Sequence, residues 1–201
     1  MISLEGIAST SASAELISRS PPDILVMLLQ YKEWADRIAF EAVMAIPEEE
    51  ALKPRMTTFK NMVHTLSHVY VVDDIFRHHL TGHTHRCTMR NTVDTPLISQ
   101  LWQSVQEMDR WYLSEVRSWT NDELHQVVKF EFVGGGKGAM TKEEIVLHIV
   151  NHATYHRGFV GDMLKQVPYN WPANDLPVFI RDHYRASIVE EPRHAGGSPC
   201  L

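Results

Sequence analysis

Residues 142–166 read KEEIVLHIVNHATYHRGFVGDMLKQ, and the spacing inside this stretch decides the fold. At roughly 100° per residue, Ile145, His148, Ile149, His152, His156, Phe159 and Met163 fall on one side of a helix. Glu143, Arg157, Gly161 and Lys165 fall on the other. The apolar stripe therefore carries three histidines at successive i, i+4 positions. A buried imidazole needs a hydrogen-bond partner or a metal ion. Side chains four apart have Cβ atoms about 5–6 Å from one another, so His152 and His156 can offer two nitrogens to one cation, and so can His148 and His152. A single histidine on such a face is ordinarily a hydrogen-bonded core residue. A pair asks for a third ligand from elsewhere in the chain.

Just upstream, Thr141 and Glu144 form the T-x-x-E pattern of a capping box that starts this helix. Before them QVVKFEFVGGGKGAMT, residues 126–141, reads as a β-hairpin closed by glycines. The GGGKG run lacks the GxxxxGK[ST] spacing of a phosphate-binding loop and is a turn. Downstream, Val167-Pro168 terminates the helix, a short helix is expected over 176–186, and the composition after Glu190 reads as disorder.

Three more long helices lie further out. One opens at Thr95-Pro96 and runs to about Trp119, with Leu97, Leu101, Val105, Met108, Trp111, Tyr112 and Val116 alternating at three and four. Another spans Thr58 to Leu80 and holds a further i, i+4 pair, His64 and His68. It is apolar nearly all round, as expected of a helix covered on several sides. The first starts at Ser20-Pro21-Pro22, a cap residue followed by prolines, and runs to about Ala45, with Trp34 as core packing and Pro47 beyond its end. His78, His79, His83 and His85 fall in a polar, loop-like stretch and read as solvated.

The pattern is an all-α four-helix bundle with a small hairpin before the last helix. It is expected over residues 20–187, with a loose arm at 1–19 and a disordered tail at 188–201. Bundles of this kind build metal sites from inward side chains on facing helices. The missing ligand is then His68 or His64 of the second helix.

Composition narrows the partners. The chain has 201 residues, 44% hydrophobic and 22% charged, which suits one globular domain. A net charge of −6 without a dense Lys/Arg cluster argues against nucleic acid. No apolar run approaches the ~20 residues of a membrane span, and the first residues lack a signal-peptide pattern. Cys87 and Cys200 make neither a disulfide framework nor a thiolate metal site, so a reduced, cytoplasmic setting is expected.

Three segments carry a resemblance. HIVNHATYHRG with the following DMLKQ, LSHVYVVDDIF in the second helix, and YKEWADRIAFEAVMAIP in the first are similar to the signatures of the DinB-like family. They occur in the same order and span most of residues 22–185. The resemblance implies a four-helix bundle, commonly a homodimer, that binds a divalent cation through three histidines. Carried over by motif, the metal ligands are His68, His152 and His156, with Asp73 in the usual acidic place. His64 and His148 lie one turn upstream, where residues that hydrogen-bond to the ligands or line the pore would sit. Phe159 stands where many relatives carry Gln, which removes a polar group near the site.

Three neutral imidazoles would leave the cation its +2 charge and an open position, the catalytic rather than the closed structural pattern. Such an ion acidifies water to a pKa of about 7 or deprotonates a thiol. The expectation is a metal-dependent hydrolase or a thiol-dependent transferase acting on a small molecule, in keeping with family members that use low-molecular-weight thiols. His148 and Asp73 are the catalytic candidates for proton transfer. The alternative is a non-catalytic, metal-stabilised stress-response or binding protein. Zinc, nickel, cobalt and manganese all accept imidazole donors.

Overall fold

The computed structural model describes residues 21–169 and 171–185. The expected arm at 1–19, the Ser20 cap and the tail at 188–201 lie outside the described residues. Helix α1 (Pro21–Met44) is followed by a one-turn α2 (Glu48–Leu52), α3 (Met62–Leu80) and α4 (Ile98–Ser118). Then come a one-turn α5 (Asn121–Leu124), strands β1 (Val127–Glu131) and β2 (Lys137–Thr141), and α6 (Lys142–Leu164). A short α7 (Leu176–Phe179) runs on into a π-helical turn, Ile180–Tyr184. Among the described residues, no helix is long and apolar enough to cross a membrane.

Helices α1 and α3 each pack against both α4 and α6, which closes a four-helix bundle. The core divides into two apolar clusters stacked along the bundle. Leu25, Leu29, Val72, Tyr112, Ile145 and Ile149 belong to one, joined by Phe130 of the hairpin and Phe179 of α7. Phe40, Val43, Met62, Leu66, Leu101, Val160 and Leu164 belong to the other. Read along the chain, α1 and α6 pass from the first cluster to the second, and α3 and α4 pass from the second to the first. Because α3 and α4 point the same way, residues 81–97 between them must travel back along the bundle. That crossover becomes one wall of the candidate site.

Local chemistry sets the element ends. The capping box on α6 forms as expected: Glu144 N donates to Thr141 Oγ1 at 3.2 Å and Thr141 N donates to Glu144 Oε2 at 2.7 Å. In the hairpin, Val127 faces Thr141 and Glu131 faces Lys137, and Gly134–Gly136 take φ values of 96–99° that few other residues tolerate.

The structure corrects the sequence reading in three places. Helix α3 begins at Met62 rather than Thr58, because Lys60 has a left-handed φ of 67° and Asn61 is extended. The Asn61 side chain then caps the helix by accepting from His64 N at 2.7 Å. Helix α4 begins at Ile98, two residues later than the Pro96 start. On α6, Arg157 and Gly161 are buried rather than on the outer face: Arg157 points into the bundle, and Gly161 is covered by the ring of Trp171.

Candidate metal centre

Between the two apolar clusters, polar side chains turn inward from all four long helices: Lys32 and Asp36 of α1, His68 and Asp73 of α3, Asp109 of α4, and His156 and Arg157 of α6. They sort into an imidazole group and a charged group.

The imidazole group comprises His68, His152 and His156. One ring nitrogen from each lies within 4.8 Å of the other two. His68 Nε2 and His152 Nε2 are 3.1 Å apart. Two nitrogens each about 2.0–2.1 Å from a shared zinc-like ion would be separated by roughly 3–3.5 Å. The His68–His152 pair matches that spacing. Helix periodicity supplies His152 and His156, and packing of α3 on α6 supplies His68. Among the described residues, no other three metal-ligating side chains come together so closely.

The tautomer of His68 is set from outside the group. Its Nδ1–H donates to the carbonyl oxygen of Arg90 on the crossover, leaving the Nε2 lone pair facing His152. An outer hydrogen bond of this kind orients a ligating imidazole and raises its basicity. The crossover is itself fastened to α3: Asn91 Nδ2 donates to the His64 carbonyl at 3.1 Å, and Ser67 Oγ and Thr92 Oγ1 are 2.8 Å apart. Phe59 stacks on His68 with ring centroids 4.2 Å apart.

Electrostatics keep these rings neutral. Burial, with the neighbouring histidines adding to it, lowers the His152 pKa to about 3, and the same causes lower His156 to about 4. Burial also lowers His68. Nδ1 of His152 and Nδ1 of His156 are buried and have no hydrogen-bond partner among the described residues. Three neutral, inward imidazoles with unmet polar capacity fit a divalent cation.

These rings face a cavity of about 500 Å³. Phe59, Met89, Tyr155 and Phe159 give it apolar walls, and Thr58, Arg90 and Asn91 add polar groups. The other candidates named from sequence lie elsewhere. His64 Nδ1 is 3.2 Å from Thr95 Oγ1. His148 packs between His152 and Phe76, at ring-centroid distances of 5.4 and 4.9 Å. Asp73 meets Lys32 Nζ at 3.0 Å. None of the three lines the cavity. His78 and His79 lie within the last turn of α3, and His79 stacks on Phe130 of the hairpin.

Residues 20–191 match the DinB family over nearly the whole bundle just described. The chain belongs to the DinB family. Protein DinB of Bacillus subtilis (strain 168) is 25% identical over 164 residues, covering 79% of this chain and 94% of that protein. The crystal structure of a DinB-like protein from Bacillus cereus ATCC 10987 superposes with a TM-score of 0.53 at 15% identity, covering 73% of this chain and 94% of the other. That likeness is one of fold.

This DinB-family chain also buries a charged group that sequence reasoning missed. Lys32 Nζ sits 2.8 Å from Asp36, 3.0 Å from Asp73 and 2.6 Å from Asp109. Arg157 donates to Asp36 at 2.7 Å and to Thr154 Oγ1 at 2.9 Å. Burial alone would lower the Lys32 pKa, but the three carboxylates outweigh it and hold the amine charged. Burial raises Asp73 to about 6 and Asp109 to about 7, against the pull of Lys32. Two cations against three carboxylates leave one excess negative charge, so one proton taken up near neutral pH makes the group neutral. A charge at an inward helical position is the one signal that could have exposed it.

Proposed function

We propose that this DinB-family protein is an enzyme that holds one divalent cation on His68, His152 and His156 and uses it to activate a small-molecule thiol. The observation that carries the reading is the convergence of three neutral imidazoles at the floor of a solvent-reaching cavity, with no fourth protein ligand among the described residues. A cation bound there with an open position would lower the pKa of a thiol or a water molecule. Zinc, nickel, cobalt and manganese all suit the donor set.

The chain's own groups favour a thiol over water. Hydrolysis calls for a base within hydrogen-bond reach of the attacking water. Among the described residues no carboxylate lines the cavity, and Asp73 is engaged by Lys32. A thiol held by the ion would pass its proton to solvent water through the open cavity and then needs no further base to act as a nucleophile. The apolar surfaces of Phe59, Tyr155 and Phe159 accept its carbon chain. Arg90, through its carbonyl, holds His68 in the tautomer that binding requires.

Cobalt makes the open position visible. Adding 2-mercaptoethanol to cobalt-loaded protein is expected to produce a new near-ultraviolet absorption and to shift the visible bands. An unchanged spectrum at saturating thiol would mean a closed site, and the ion would then be a structural staple.

A further inference from the structure

We propose that Arg90 is a substrate-recognition residue that selects small molecules carrying a carboxylate beside an apolar body. The inference rests on the reading of the three-histidine cavity as a binding site.

Four observations lead to it. First, Arg90 lines the same cavity as the three histidines. Second, Arg90 is exposed, and its side chain makes no ion pair or hydrogen bond among the described residues. Third, its backbone is fixed. The Arg90 carbonyl accepts from His68, and Asn91 and Thr92 beside it are tied to α3, so the side chain departs from a held point next to the candidate ligands. Its charge is near enough to oppose protonation of His68.

The fourth observation concerns sign. The chain carries a net charge of −6, yet among the described residues no Asp or Glu lines this cavity and Arg90 is its one fixed cation. With neutral imidazoles around it, the cavity is positive before any metal enters and more so afterwards. An anion is the complementary guest. A guanidinium offers a planar fork that matches a carboxylate in two-pronged fashion. A phosphate dianion would call for more donors than one arginine and the neutral Asn91 and Thr58 supply. The remaining walls, Phe59, Tyr155 and Phe159, are aromatic and define the apolar part of the guest.

The test is calorimetric titration of the full-length protein with phenylacetate and with its neutral counterpart phenylacetamide. Both are measured with and without zinc, for the parent, Arg90→Ala and Arg90→Lys. A hydrogen-bonded charge contributes about 1.5–3 kcal/mol, so the parent should prefer phenylacetate by about tenfold or more. Arg90→Ala should reduce that preference to threefold or less with its zinc content unchanged, and Arg90→Lys should keep part of it. A parental preference that survives in Arg90→Ala would overturn the proposal, because the anion would then be held by the metal alone. Equal binding of the two probes to the parent would overturn it as well. If the chain takes up no zinc, the metal reading fails by itself, and the same comparison in metal-free protein still decides the role of Arg90.

Discussion

Replacing Lys32 with methionine is expected to cost about 3–5 kcal/mol of folding stability, since it removes one partner from a buried ionic group. For a chain of this size that is roughly 6–20 °C in melting temperature. Methionine keeps most of the side-chain volume, so lost packing is not the cause. Asp36 would retain Arg157, but Asp73 and Asp109 would lose the cation that faces them. The deficit should depend on pH with a definite sign. A carboxyl whose pKa is higher in the folded than in the unfolded state binds its proton more readily when folded. Its stabilising contribution is therefore complete below the unfolded value near 3.8 and disappears as pH rises through the folded value. Asp73 and Asp109, at about 6 and about 7, already behave this way in the parent. Without Lys32 both values rise further, so the gap between variant and parent should narrow from pH 8 to pH 5. Thermal melts across that range check it, and a gap that widens towards acid would contradict the electrostatic account.

Truncating His152 to alanine is expected to lower divalent-metal affinity by more than about 100-fold, given that even residues supporting a ligand are worth 10–100-fold. His68→Ala and His156→Ala should behave alike. His64→Ala should stay within about tenfold of the parent, because that ring is turned to Thr95 on the crossover. Dialysis against zinc followed by elemental analysis provides the comparison. Metal retained in His68→Ala but lost in His64→Ala would mean that the second-helix ligand has been misassigned.

Sequence periodicity reached some of this and stopped short of the rest. The i, i+4 spacing of His152 and His156, the capping box at Thr141 and the glycine turn of the hairpin are local patterns, and each has its structural counterpart. Choosing between His64 and His68 needed either family likeness or tertiary structure. Both sit on a helix covered on several sides, and what separates them in space is the partner each finds on the crossover: Thr95 for one, the Arg90 carbonyl for the other. Residues 81–97 have no helical or strand period to reveal their path. Lys32 and Asp36 have the spacing of an ordinary surface pair, and only the packing of α1 on α4, with Asp109 at 2.6 Å, shows that they are inside. The outer placement of Arg157 failed for the same reason. A helical wheel gives an angle, and Asp36 across the bundle determines that the guanidinium turns inward.

Anomalous diffraction at the zinc edge, from crystals grown with one equivalent of zinc, tests the central claim most directly. The account predicts one strong peak per chain, about 2.0–2.1 Å from a ring nitrogen of each of His68, His152 and His156. A map with no peak between those rings, or with zinc held instead by histidines such as His79 and His85, would contradict it.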